Sequence, residues 1–227
     1  MTNILIPFKF LLIIQSFIMA IILKENILYL HIPKTGGNFL TRILHDCGLI
    51  KHHIGDKHAT YDLIYHGLKH HFNGMLLQDR LCSFCVVRHP LRWYESWFKY
   101  QNWRGWMNWG YSGELNNWHV LSDMNRNKSY EFNEFMRYVN NNNPGFVTQL
   151  YGRYTNGTGV HILKTESIVD DFLEFCNTYS IPIDHDYVRS HAPQGVSPKV
   201  DIHWSDSVYK ETIENEMPAF KLYQYEP

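Results

Sequence analysis

A lysine and two glycines follow a short apolar run early in the chain, and residues of these types at this spacing are typical of an anion site. The run 27–32 predicts a strand, the turn 33–37 contains Lys34, and the pattern over 38–46 predicts a helix with one apolar face. The N–H groups of such a turn and the positive end of the helix dipole attract phosphate or sulfate, and Lys34 adds a full charge. The turn therefore predicts that the chain handles a phosphorylated cofactor.

The order of these residues argues against an ordinary ATP- or GTP-hydrolysing protein. In the pattern GxxxxGK[ST] the lysine follows the glycines, whereas Lys34 precedes Gly36 and Gly37. No acidic residue is evidently placed to hold magnesium beside bound phosphates.

A second cationic position follows the apolar run 82–87, which predicts another buried strand. Arg88 comes directly after this run, and Pro90 suits the first position of a helix. Ser96 lies further along that helix, on a face that could be directed towards the same loop. A guanidinium group binds phosphate through two parallel hydrogen bonds. Taken alone, the segment is better explained as a helix start with a solvated arginine.

Three strand–turn–helix units must position these residues. The third unit consists of the strand 160–163, the segment 164–166 and the helix 167–179. Strands that alternate with helices predict an α/β fold with a central parallel sheet, and ligands of such sheets bind at the carboxyl ends of the strands. Lys34, Arg88 and the segment 164–166 all lie just past the end of a strand. We therefore expect them to converge.

The composition fits one folded domain. The chain has 227 residues, 44% of them hydrophobic and 15% aromatic. Its formal net charge of −1 excludes a general basic field for nucleic acid, so any anion binding must be local.

The two segments together resemble the cofactor-binding motifs of sulfotransferases that use 3′-phosphoadenosine-5′-phosphosulfate (PAPS), most closely the carbohydrate branch with its Golgi-type and bacterial members. The segments are HIPKTGG (31–37) and VVRHPLRWYESWF (86–98), and similarity continues through ILKTESIVDDF (162–172) and a helix near 206–217 followed by FKLYQY. The resemblance implies a P-loop NTPase-like three-layer fold. It also implies two groups of cofactor contacts: Lys34, Thr35, Gly36 and Gly37 for the 5′-phosphosulfate, and Arg88 and Ser96 for the 3′-phosphate.

Two positions depart from the family pattern. Asn38 stands where Thr or Ser usually follows the two glycines, so an amide N–H would replace a hydroxyl contact to phosphate, or the contact is lost. Trp93 stands where the second motif often has an arginine, and Arg92 precedes it. Both departures concern the details of phosphate recognition and leave the cofactor class unchanged.

The reaction that the resemblance implies is transfer of a sulfuryl group to a hydroxyl of a carbohydrate by in-line displacement without a metal. Lys34 would stabilise the leaving phosphate. His58 is our choice for the base, since it lies in a Lys-His-Ala-Thr segment similar to one in related enzymes, at the start of a helix predicted over 59–71. His52 and His53 are the reserve candidates. Lys199 would cover the cofactor from a C-terminal loop.

Several alternatives stay open. Six tryptophans between residues 93 and 118 could stack on sugar rings, although each one is better explained as core. A kinase-like phosphotransferase of the same architecture, or a nucleotide-binding protein that has lost catalysis, would fit the same motifs. Asn38 slightly favours the inactive protein.

The N-terminal residues form a separate hydrophobic segment, 1–23, before a sulfotransferase domain predicted over 24–227. Residues 4–23 are nearly all apolar and about long enough to span a membrane. A membrane anchor, a signal peptide and a dispensable extension are all consistent with this pattern, and Met19 offers an alternative start. The protein would be cytoplasmic or anchored through a single span.

Cys82 and Cys85 have the spacing of a zinc or disulfide pair, but they lie at the predicted strand 82–87. Positions three apart on a strand point to opposite faces. We therefore expect core cysteines that share neither a metal nor a disulfide.

Overall fold

A five-stranded sheet forms the centre of the computed structural model, which describes residues 18–56, 58–64, 82–106, 121, 123–156, 159–191 and 200–227. The order of the strands across the sheet is β3-β1-β2-β4-β5. The strands are β1 (Ile18–Leu23), β2 (Leu28–Leu30), β3 (Ile50–Asp56), β4 (Ser83–Val87) and β5 (Val160–Lys164).

Helices cover both faces of this sheet, so the fold is α/β and compatible with three layers. Within the described residues they are α1 (Gly37–Asp46), α2 (Pro90–Trp103), α3 (Phe132–Asn142), α4 (Phe146–Thr155), α5 (Ile168–Thr178), α6 (His185–Ser190) and α7 (Asp206–Leu222), with short 3₁₀ turns at Asp123–Asn127 and Thr165–Ser167. One apolar layer contains α1, α5 and α6, and the other contains α2, α3, α4 and α7. In the described part of the chain no helix combines the length and the apolar character that crossing a bilayer requires.

The parallel part of the sheet confirms the predicted strand–turn–helix units. β2 pairs in parallel with β4, and β4 pairs in parallel with β5. Leu30 lies opposite Cys85, and Val87 lies opposite Lys164, so the carboxyl ends of the three strands lie side by side. The turns that follow them are therefore neighbours, as expected from the sequence.

The sheet as a whole is mixed, so the predicted parallel sheet is confirmed for β2, β4 and β5, and the other two strands are antiparallel additions to it. β1 runs antiparallel to both β2 and β3. β1 belongs to the hydrophobic segment 1–23, so residues 18–23 are part of the sheet and the predicted boundary after residue 23 does not hold for them. β3 comes from the histidine-rich stretch for which the sequence predicted no strand. It lies at an edge of the described sheet, where residues 51–53 can pair through the backbone and still be exposed.

Strand alternation separates the two apolar layers and confirms the reading of the cysteines. Phe84 and Val86 of β4 face the layer with α1, whereas Cys85 and Val87 face the layer with α2. Cys82 packs against the first of these layers, on the opposite side from Cys85, and both thiols are free. Burial raises the pKa of the Cys85 thiol to about 12, which makes it an unreactive core residue.

Two boundaries differ from the prediction. The run of asparagines 140–143 before Pro144 and Gly145 predicts a turn or linker, but α3 continues to Asn142 and the turn occupies residues 143–145. The C-terminal helix was expected near 206–217, and α7 continues to Leu222 through Pro218. Of the predicted helix 59–71, the described part is helical over residues 61–64.

A buried carboxylate joins α2, α4 and α7. Glu216 of α7 is fully buried and accepts hydrogen bonds from the N–H groups of Val147 and Thr148 at 2.9 and 2.8 Å, in the first turn of α4. The Thr148 hydroxyl donates to it at 2.6 Å and the Tyr94 hydroxyl at 2.5 Å. A negative charge at a helix N-terminus satisfies backbone donors that have no partner within the helix. Burial of the Tyr94 phenol and the nearby Glu216 carboxylate raise the pKa of Tyr94 well above its usual value, so the hydroxyl stays protonated and donates.

Replacing this carboxylate is expected to destabilise the fold. Glu216→Gln brings an NH₂ group against the N–H donors of α4, so the free energy of unfolding should fall by about 1–3 kcal/mol. Urea unfolding of the variant measures the change, and Glu214→Gln on the exposed side of α7 is the matched control. Equal stability of the two variants would contradict this role for Glu216.

Candidate anion-binding and catalytic site

The turn after β2 has the backbone of an anion-binding loop. Lys34 and Gly36 have φ angles of 67° and 85°, in the left-handed region. Gly36 is the N-cap of α1 and no side chain caps the helix. Gly36 therefore supplies no capping side chain to the start of α1, and the N-terminus of a helix is a place where an anion can bind.

Two neighbouring elements, together with Thr35 of the turn itself, fix this turn through hydrogen bonds to carbonyl groups. The Thr35 hydroxyl donates to the carbonyl of Ile32 at 2.9 Å, and the Trp93 indole of α2 donates to the carbonyl of Pro33 at 2.8 Å. Thr165, after β5, places its hydroxyl 2.9 Å from the carbonyl oxygens of both Thr35 and Val87 and can donate to either. Thr35 is fully buried, so its side chain supports the turn and the residue presents no exposed group to a ligand.

The two glycines allow close packing under the turn. A Cβ at Gly37 would overlap the imidazole ring of His31, which is buried beneath the start of α1. A Cβ at Gly36 would lie 2.9 Å from Ile168 Cδ1 of α5, and the left-handed backbone there would strain any other residue. The turn can therefore approach both the strand end and α5 only with glycine at these positions.

Arg88 lies beside this turn, as predicted. Its Nη1 is 3.4 Å from the carbonyl oxygen of Lys34, and its Nε is buried without a hydrogen-bond partner in the described part of the chain. Tyr151 of α4 holds the Arg88 backbone from both sides, because its hydroxyl accepts from the N–H at 3.1 Å and donates to the carbonyl at 2.8 Å. A buried cationic donor without an acceptor is costly, so this position fits an anionic ligand.

The Lys34 side chain lies over an aromatic ring at the end of α2. Its Nζ is 4.1 Å from the centroid of the Tyr100 ring. Arg104 donates from Nη1 to the Tyr100 hydroxyl at 2.7 Å. Two cationic side chains, one of which the sequence did not single out, therefore share one tyrosine beside the turn.

His58 is held close to the same turn. Its Nδ1 is 3.2 Å from the carbonyl oxygen of His31, and its ring meets the His31 ring edge-on with centroids 5.0 Å apart. A carbonyl can only accept a hydrogen bond, so Nδ1 carries the proton and neutral His58 has its lone pair on Nε2. The carbonyl of His58 accepts from the Tyr154 hydroxyl of α4 at 2.7 Å. In this tautomer Nε2 is the ring nitrogen that can accept a proton.

The other predicted residues are placed less favourably or lie outside the described residues. Ser96 is buried on α2, and its hydroxyl makes no hydrogen bond within the described residues. Asn38 is exposed in the first turn of α1. His52 and His53 are exposed on the edge strand β3, and Lys199 lies outside the described residues.

The C-terminal segment closes over the turn after β4. Glu166 accepts from the N–H of His89 at 3.0 Å and from the Tyr225 hydroxyl at 2.8 Å. The His89 ring places Nε2 2.9 Å from the carbonyl of Glu226. Burial and the neighbouring Glu166 carboxylate raise the pKa of the Tyr225 phenol well above its usual value, so Tyr225 keeps its proton.

No family model, curated protein or solved structure matches the chain. The assignment of the two motifs therefore stays a prediction from the residues that carry them.

Sequence reasoning missed the two tyrosines that position the site. Tyr151 and Tyr154 are three residues apart on α4, so they share a helix face and bond the backbones of Arg88 and His58. The available signal was a tyrosine pair at helical spacing. That signal is common in apolar cores, and nothing local connects it to residues 63 or 96 positions away.

The packing of His31 under α1 predicts opposite effects of one substitution at two helical glycines. Gly37→Ala forces the imidazole to move and should lower the free energy of unfolding by about 1–3 kcal/mol. Gly152→Ala, where the nearest atom would be 3.7 Å away, should raise it by about 0.5–1 kcal/mol through helix propensity.

Urea unfolding measures both changes. The double variant His31→Ala/Gly37→Ala should lose less stability than the sum of the single variants, because removal of the ring makes room for the new methyl group. Additive losses would show that the ring does not limit residue 37.

Proposed function

We propose that the protein is a PAPS-dependent sulfotransferase with a P-loop-like phosphate site, and that it sulfates a hydroxyl of a carbohydrate. The observation that carries the proposal is the buried, unpaired Nε of Arg88 beside the carbonyl of Lys34. These residues follow adjacent parallel strands, so one nucleotide with phosphates at both ends of its ribose could engage both. The resemblance of the two motifs to the family supports the same cofactor.

Lys34 and the first N–H groups of α1 would hold the 5′ end of the cofactor. When bound, PAPS supplies a sulfuryl group, whose bond to the 5′-phosphate breaks as the acceptor oxygen bonds to sulfur. Lys34 would leave the face of Tyr100 to stabilise the negative charge on the phosphate, and fixed donors aimed at developing charge are a main source of catalysis. Arg88 would hold the 3′-phosphate, as the resemblance implies.

His58 would take the proton of the acceptor hydroxyl on Nε2. The hydrogen bond from Nδ1 to the carbonyl of His31 places the proton of the neutral ring on Nδ1 and leaves Nε2 unprotonated. The balanced reaction converts an alcohol and PAPS into a sulfate ester, 3′-phosphoadenosine-5′-phosphate (PAP) and one proton, which His58 would pass to solvent.

The kinase alternative has less support. Glu166 already accepts two hydrogen bonds, and Asp171 accepts one from the Lys164 N–H at 2.7 Å, so these carboxylates beside the strand ends are engaged. Binding of magnesium–ATP in preference to PAP would favour it.

Calorimetric titration with PAP tests the proposed cofactor. We expect a dissociation constant of about 1 µM, or about −8 kcal/mol, without added metal. Arg88→Ala should weaken binding by about 1.5–3 kcal/mol through loss of charge-assisted hydrogen bonds. Arg189→Ala is the matched control, since Arg189 lies on α6 and pairs with Asp170 at 2.8 Å. Absence of PAP binding to the folded protein would overturn the proposal.

Transfer of labelled sulfate from PAPS to a panel of glycans tests the catalytic roles. Lys34→Ala should abolish turnover. His58→Ala should lower kcat by about 10²–10⁴-fold and leave PAP affinity nearly unchanged. Unchanged kcat in His58→Ala would remove it as the base.

The two tyrosines of α4 should separate binding from turnover. Tyr151→Phe releases the Arg88 backbone and should raise the dissociation constant of PAP, whereas Tyr154→Phe releases His58 and should mainly lower kcat. Both variants remove one buried hydroxyl, so each is the stability control for the other. The same kinetic defect in both would indicate a merely structural role.

A further inference from the structure

The last turn of α2 presents a second set of polar and aromatic groups next to the anion site. Tyr100, Trp103 and Arg104 have the spacing i, i+3 and i+4, so they share one helix face. Lys34 lies on the Tyr100 ring, which connects this face directly to the turn after β2.

Arg104 is positioned by the same ring. Its guanidinium carbon is 5.5 Å from the Tyr100 centroid while Nη1 bonds the hydroxyl, so the planar group is held at the rim of the ring. A guanidinium in a fixed orientation suits a carboxylate or sulfate, which it can bind with paired hydrogen bonds.

Trp103 adds a large apolar surface. Its side chain is 66% exposed, whereas the other described tryptophans of α2, Trp93 and Trp97, are fully buried. Lys99 lies one turn before it on the helix and makes no ion pair within the described residues. Trp103 therefore presents an exposed indole ring beside cationic side chains.

We propose that Tyr100, Trp103 and Arg104 form an acceptor subsite for an acidic saccharide. Trp103 would stack on a sugar ring, Arg104 would bind the carboxylate or sulfate of that unit or its neighbour, and the hydroxyl to be modified would lie toward Lys34 and His58. The role of this subsite in catalysis depends on the proposed function, but its binding of saccharides can be measured without turnover.

Calorimetric titrations with oligosaccharides test the subsite on the full chain. The probes are a hyaluronan hexasaccharide, which carries carboxylates, the same hexasaccharide with its carboxyl groups reduced to alcohols, and the reduced form after chemical sulfation. The wild type should bind the two acidic forms more tightly than the neutral one. A difference between the acidic forms identifies which anion is preferred.

Variants assign the two contributions. Arg104→Gln should weaken binding of an acidic probe about tenfold and remove the preference over the neutral form, whereas Arg189→Gln should retain it. Trp103→Ala should weaken binding of all three probes about two- to tenfold, and Trp103→Phe should restore most of the affinity. PAP binding, titrated in the same variants, should not change.

Two results would overturn the subsite: equal affinity of the wild type for acidic and neutral probes, or an undiminished acidic preference in Arg104→Gln. Both count against the subsite alone if PAP still binds. Loss of PAP binding in the wild type with intact saccharide binding would count against the proposed function and leave the subsite standing.

Discussion

The burial of the Glu216 carboxylate is the constraint on which the position of the candidate site depends. A charge removed from water needs several donors, and Glu216 finds them on α2 and at the start of α4. This fixes α4 against the sheet at the point where its tyrosines reach the backbones of Arg88 and His58. A change at Glu216 would therefore reach both site residues without contacting either, because one rigid helix connects them.

The turn after β2 depends on a second balance, between strain and hydrogen bonds. A lysine in the left-handed region costs conformational energy that glycine would avoid. Bonds from Trp93 and Thr165 to the neighbouring carbonyls offset this cost and hold the turn in one shape. The donors of such a turn are ordered before an anion binds, so binding loses less conformational entropy.

The sequence predicted the units whose signals are local. β2, β4 and β5 are short apolar runs that each lead into an amphipathic helix, so their order and parallel pairing follow from general rules. β1 was missed because a long apolar stretch has no period that separates a strand from a membrane span, and β3 because histidines on an edge strand lack alternation. Glu216, Tyr151 and Tyr154 were missed because their roles depend on contacts between residues distant in sequence.

The two positions that differ from the motifs the chain resembles have different physical consequences. Trp93 stands where the motif that this segment resembles often has an arginine. It is fully buried and donates its indole N–H to the carbonyl of Pro33, so it supports the turn after β2. A buried indole that already donates to Pro33 cannot bind a phosphate as well. In the proposed enzyme, Arg88 would therefore supply more of the positive charge that binds the 3′-phosphate. Asn38 is exposed at the first turn of α1, where a ligand of that helix end would lie. If the chain binds PAPS as proposed, Asn38 is the one of these two residues that could contact it directly, so a loss of the proposed catalysis would be sought at Asn38 before Trp93.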